Sequence, residues 1–199
     1  MKDFQEIPQK AKEEYGLFLI RHINGLDTAI LDSILKQAGQ DGSIVSIERL
    51  FKGNLTTLTI FGPKTVLTKF NDNLGLLELE DYVANLDSKH ISTWEIGMKD
   101  AAQFSPKDIN NIFNSLPKLG KEDQFFWQVV LGRDQSQIRA ALYSQDAKKH
   151  KTWVPGKFTK VPRPFSAEQM MDFYKLRTVS RDSKIPVLTP ESIMQLLKV

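Results

Sequence analysis

Six cations and three aromatic rings crowd one stretch near the C-terminus. Lys148, Lys149, Lys151, Lys157, Lys160 and Arg163 lie between Ala147 and Ala167 with no acidic residue among them, interleaved with Trp153, Phe158 and Phe165. Cations that meet phosphates and rings that stack on bases are the two ingredients of single-strand nucleic-acid binding. The candidate contacts are Lys148, Lys149, Lys151, Trp153, Lys157, Phe158, Lys160 and Arg163. A solvated loop pinned to its domain by those aromatics is the competing reading.

Other chemistry finds little support. The ATP-binding pattern Gly-x-x-x-x-Gly-Lys-Ser/Thr does not occur: Gly120-Lys121 and Gly156-Lys157 lack both the upstream glycine and the hydroxyl residue. Gly62-Pro63-Lys64-Thr65 is interrupted by proline, which removes an amide that a phosphate cradle needs, so it reads as a helix start. His22, His90 and His150 are far apart, without metal-ligand spacing. Glu78 and Glu80 share one side of a strand, which reads as a solvated face rather than an acid/base dyad. No catalytic residue, metal site or cofactor is expected.

Charge is distributed unevenly. Residues 1 to 120 hold 13 Lys/Arg and 16 Asp/Glu, whereas residues 121 to 199 hold 14 and 8. Polyanion affinity therefore belongs to the second half. The chain of 199 residues is 41% hydrophobic, enough for one sizeable core or two small ones. No run reaches the ~20 apolar residues of a membrane span. Met1 to Glu6 lacks the apolar stretch of a secretory signal, and cysteine is absent, which fits a reducing cytoplasm.

The elements that position these residues follow a rhythm. Leu17 to Ile23 reads as a strand and Asn24-Gly25 breaks it; Leu26, Ile30, Leu31, Ile34, Leu35 and Ala38 recur at helical spacing, with Asp27 in the first turn and Gly39 as a stop. Ile44 to Phe51 and Leu55 to Phe61 flank the turn Lys52-Gly53-Asn54, a hairpin. Pro63 opens a helix with Val66, Leu67, Phe70 and Leu74 on its apolar face, ended by Gly75, and Leu76 to Val83 is a last strand near the sheet margin. This is the β-α-β-β-α-β order of a ferredoxin-like unit.

An echo begins at His90. The strand to Met98 is followed by a helix capped at Ser105-Pro106 and ended near Pro117, then by Phe125 to Leu131, the most apolar strand of the chain, expected at the centre of a second sheet. Ile138 to Tyr143 suits a strand or a helix. Lys148 to Pro164, with four Pro and Gly residues, reads as an extended loop. Helices follow from Ser166, along Met170, Phe173, Tyr174 and Arg177, and from Thr189-Pro190-Glu191, along Ile193, Met194, Leu196 and Leu197. The fold class is α+β, as two tandem ferredoxin-like units: residues 1–85, and a degraded copy over 90–199 with the basic loop 148–165 and C-terminal helices.

Four patterns carry a family resemblance: Leu76-Leu77-Glu78-Leu79-Glu80-Asp81-Tyr82; Trp94-Glu95-Ile96-Gly97-Met98 before a proline-started helix; Leu116-Pro117-Lys118-Leu119 with Phe126-Trp127-Gln128-Val129-Val130-Leu131; and Leu188-Thr189-Pro190-Glu191. Together they make the chain resemble the N-terminal, non-ATPase region of conjugation and type IV secretion ATPases of the additional-strand, helicase-like kind. The resemblance implies an accessory or docking domain of a DNA-transfer system, with a motor ATPase or channel component as partner. It implies a cytoplasmic location, reaching the inner face of the membrane through that partner. The RecA-like motor of that family has no counterpart here, so the resemblance carries over no catalytic residue. It expects a fragment of a longer polypeptide or a stand-alone relative. An independent protein binding single-stranded nucleic acid through residues 148–165 is the alternative.

Overall fold

The computed structural model describes residues 4–5, 14–40, 42–80, 87–96, 114, 118–132, 136–152, 158–160, 177, 179–180 and 188–197. In chain order the elements are β1 (Phe4–Gln5), β2 (Tyr15–Leu19), α1 (Thr28–Gln40), β3 (Val45–Lys52), β4 (Leu55–Pro63), α2 (Lys64–Leu67), α3 (Asn71–Leu74) and β5 (Leu77–Leu79). Then come β6 (Ile91–Ile96), β7 (Gln124–Leu131), β8 (Ser136–Tyr143), α4 (Ala147–Thr152), β9 (Phe158–Lys160), β10 (Val179–Ser180) and α5 (Pro190–Leu197). Among the described residues no helix is long and apolar enough to cross a membrane.

Local chemistry sets the first half. Lys52 pairs with Leu55 across a two-residue turn, and Gly53 supplies the positive φ, 56°, that such a turn needs. Asp27 caps α1, its Oδ1 accepting from the Ile30 amide at 2.8 Å. Gly39 does not stop that helix: the left-handed residue is Gly42, φ 65°, and the Ser43 amide donates to the Ala38 carbonyl, closing a Schellman turn. Pro63 caps α2 as the last residue of β4, one place earlier than the spacing suggested. Gly75, φ 57°, ends α3 as expected.

Among the described residues eight strands form one sheet in the order β5-β2-β4-β3-β7-β8-β6-β9, every neighbouring pair antiparallel. The two halves meet where β3 pairs with β7 along their full length, Val45 opposite Leu131 through Lys52 opposite Gln124. Strand β7 therefore lies inside one sheet, not at the centre of a second one. Its backbone is paired on both edges, by β3 and β8, and its apolar side chains enter the core on one face and the smaller clusters on the other. Counted from its own start, the first half runs fourth, first, third, second across the sheet, and the second half second, third, first, fourth. β1 and β10 form a separate two-stranded ribbon, Phe4 opposite Ser180.

One face of the sheet carries the main core. Ile47, Ile60, Phe125, Trp127, Val129 and Ile138 pack there with Leu31 and Ile34 of α1 and Ile193 and Leu196 of α5, which lies against α1. The opposite face holds two smaller clusters, Ile91, Phe126 and Ala141, and Ile44 with Val130. Between them the buried residues are polar.

Residues 138–143 form a strand, β8, and 148–164 are not one extended loop. They contain α4, started where the Asp146 side chain accepts from the Lys148 amide at 2.9 Å, and β9, paired with β6. Elements of six and three residues are too short to show a period. β5 is shorter than the apolar run that suggested it and lies at the sheet margin, as expected. The helix expected over 105–117 falls outside the described residues, apart from Asn114. That from Ser166 does too, apart from Arg177, which sits in a turn.

Candidate functional site

Register builds a row that no short segment contains. Leu77, Leu19, Thr59, Glu48, Gln128, Arg139, Glu95 and Thr159 stand opposite one another, one from each strand of the sheet. At its middle, Glu48 and Gln128 are wholly buried and Arg139 nearly so, on the face away from α1.

Their polar atoms satisfy one another. Glu48 Oε1 accepts from Ser46 Oγ at 3.0 Å and Gln128 Nε2 at 3.1 Å. Arg177 Nε donates to the same oxygen at 2.5 Å and its Nη2 to Oε2 at 3.3 Å, across 129 residues of chain. The Arg177 guanidinium stands 4.3 Å from the centre of the Phe61 ring. Arg139 donates to Gln128 Oε1 at 3.4 Å and Gln137 Oε1 at 2.8 Å. A charge buried to this degree demands such pairing, and the pairing ties strands β3 and β7 to the turn at Arg177.

A second, partly buried ion pair anchors α4. Gly120 N–H donates to Asp123 Oδ2 at 2.6 Å, and Lys149 Nζ donates to the same oxygen. Burial pushes the Asp123 carboxyl up. Hydrogen bonds from Lys149, Ser144 and Gly120, with the Lys149 charge, outweigh that and hold it below its ordinary value.

The basic segment is thereby divided. Lys149 is engaged with Asp123, whereas Lys148 lies exposed on the same helix. Lys151 belongs to α4; Phe158 and Lys160 belong to β9, opposite Ile96 and Trp94. Trp153, Lys157 and Arg163 fall outside the described residues. Glu78, exposed, pairs with the half-buried Lys64 at 2.5 Å, and Glu80 is exposed too, so these carboxylates are solvated. Among the described residues no cluster of His, Asp or Glu could hold a metal.

No family model and no curated protein matches the chain.

The network residues Glu48, Gln128, Arg139 and Arg177 were absent from the sequence candidates. Their signal was faint: a charged or amide residue set among apolar ones in three strands, Ile47-Glu48-Arg49-Leu50, Trp127-Gln128-Val129 and Ile138-Arg139-Ala140. Only strand pairing aligns them.

Proposed function

We propose that this chain is a non-catalytic docking domain, built as two tandem ferredoxin-like units, that serves a DNA-transfer ATPase of the conjugation and type IV secretion kind. The strand order supports the architecture: fourth, first, third, second is what a β-α-β-β-α-β unit produces, and the second half repeats it in reverse. The helix α4 between β8 and β9 occupies the place of the second unit's second helix.

The observation that carries the functional reading is the closed network at the seam. The charged groups most favourably buried for chemistry, Glu48, Arg139 and Arg177, are occupied in joining the halves. Among the described residues the exposed surface is left for function, which suits docking. The resemblance adds the partner, a RecA-like motor or channel component met in the cytoplasm or at the inner face of the membrane. Isothermal titration of the chain into the purified motor ATPase is expected to show saturable binding, with no ATP turnover by the chain alone. Turnover that follows this chain through purification contradicts the reading.

A second reading, binding of single-stranded nucleic acid, is favoured by one observation. The Lys149–Asp123 pair and the β6–β9 pairing attach the cationic segment to the sheet, so its charges need less ordering on binding. Titration of fluorescent single-stranded DNA at two salt concentrations tests it. No binding at low salt ends that reading.

A further inference from the structure

Register gathers cations at one end of the sheet. Lys52 closes β3 opposite Gln124, the first residue of β7; Gln124 stands opposite Tyr143 of β8, and Tyr143 opposite Ile91, the first residue of β6. The Lys52-Gly53 turn abuts the turn before β7, since a Cβ on Gly53 would lie 4.0 Å from the Cα of Lys121. The Lys149–Asp123 pair ties α4, and Lys148 with it, to that same turn. Lys52, Lys118, Lys121 and Lys148 are exposed, as is Lys89 just before β6. With neighbouring strands ~4.8 Å apart, the rim from Leu55 of β4 to Ile91 is about 19 Å wide.

The fold does not require these cations. The other ends of β2, β3, β4, β7 and β8 are Tyr15, Val45, Pro63, Leu131 and Ser136, and the lysine that follows Pro63 is engaged by Glu78. Among the described residues Lys52, Lys118 and Lys121 form no ion pair, whereas Lys36 and Lys149 do. Three exposed carboxylates share the rim: Glu122, Asp87, which lies 3.9 Å from His90 Nε2, and Asp146, whose Oδ1 accepts from the Lys148 amide. Five exposed lysines outnumber them, while Lys149 and Asp123 offset each other, so the rim is positive.

Rings stand beside the charges. The His90 side chain, 40% exposed, meets the half-buried Tyr143 edge to face at 6.4 Å. Cations next to partly exposed rings suit the phosphates and bases of a single strand. Lysines on flexible stems hold phosphates as point charges and carry no base-specific pattern.

We propose that this rim, built from both halves of the chain, binds the phosphate backbone of single-stranded nucleic acid, with Lys52, Lys118 and Lys121 as contacts. The proposal rests on the nucleic-acid reading for its ligand class, but the surface stands without residues 151–165.

Fluorescence anisotropy of a labelled oligothymidylate, titrated with the full chain between about 50 and 200 mM salt, tests it. Lys52→Ala/Lys118→Ala/Lys121→Ala is expected to flatten the log-log salt slope by about 2, at about 0.7 per phosphate contact, and to weaken binding about a hundredfold near 0.1 M salt. Arginine at the same three positions is expected to keep the wild-type slope, because the charges remain. Lys36→Ala/Lys69→Ala removes two exposed lysines of the helical layer, where Lys69 bonds Gln37 of α1, and is expected to leave the slope unchanged. An unchanged slope in the alanine variant, a flattened one in the arginine variant, or an equal flattening in Lys36→Ala/Lys69→Ala overturns the proposal. If the loss falls instead on Lys157→Ala/Lys160→Ala/Arg163→Ala, the rim fails while binding through residues 148–165 stands. No binding by the wild-type chain at low salt ends both. Tighter binding to a duplex of the same length, or binding to phosphatidylserine vesicles in place of the oligonucleotide, also overturns the proposal. None of these outcomes bears on docking, which titration with the motor ATPase decides separately.

Discussion

Removing the Arg177 charge is expected to be among the costliest single substitutions in this protein. Arg177→Met leaves the Glu48 carboxylate wholly buried, with the donors Ser46 and Gln128 but without its cation. An unmatched buried charge of this kind costs about 3–5 kcal/mol. Glu48→Gln strands the Arg177 guanidinium instead and is expected to cost about 3 kcal/mol, since the Phe61 face and one amide oxygen remain to it. The double variant removes both charges, while the new amide oxygen still accepts from Ser46 and Gln128, so its cost falls to about 1–2 kcal/mol. The cycle therefore predicts a coupling of about 4–7 kcal/mol, far outside the additivity seen at independent sites. Urea unfolding measures it, followed by far-ultraviolet circular dichroism and by tryptophan fluorescence, to which the fully buried Trp127 contributes. An unchanged slope with denaturant assigns the shift to the folded state. Single costs below about 1 kcal/mol, or costs that simply add, refute the reasoning that this pair closes the seam.

Three further outcomes follow from other sites. Because Asp123 is held below its ordinary value, its contribution is present above the unfolded carboxylate pKa of about 3.9 and is lost as pH falls through the folded value. The stability gap between wild type and Asp123→Asn is thus expected to be about 1–2 kcal/mol near neutrality and to shrink below pH 4; a gap that does not depend on pH contradicts this. Gly75→Ala places a Cβ at φ 57° and 2.9 Å from the His22 ring, and is expected to lower stability by about 1–2 kcal/mol, read from the urea midpoint. If single-stranded DNA binds, Lys148→Ala with Lys151→Ala is expected to flatten the log-log salt slope by about 1.4, while leaving binding to a motor ATPase intact.

The features legible in the sequence are those whose chemistry is local. The Gly53 turn, the Asp27 and Thr189 helix starts, the Gly75 stop and the acidic margin strand each depend on residues within a few positions of one another. The single sheet was half legible. A β7 apolar on both faces asks for an interior place with cover on each face, but nothing in Phe125 to Leu131 names β3 as its paired strand. Strand β8 hid because the alternation of Gln137 and Arg139 with Ile138 and Ala140 breaks off at Ala141, which joins an apolar cluster on the polar residues' own face. The helix α4 hid behind Pro155 and Gly156, although Asp146 was a usable cap. The Glu48–Arg177 pair was beyond reach: its partners lie 129 positions apart, and its meaning depends on the register of several strands.

The sheet's closed seam argues for a scaffold, and the DNA-transfer role we propose for it is decided by what that scaffold holds. The most direct measurement is cross-linking of the full chain in its own cells, with the linked residues identified by mass spectrometry. The account predicts cross-links between this chain and a RecA-like motor ATPase or its channel. A map that contains neither, with links confined to nucleic acid or to the chain itself, contradicts it.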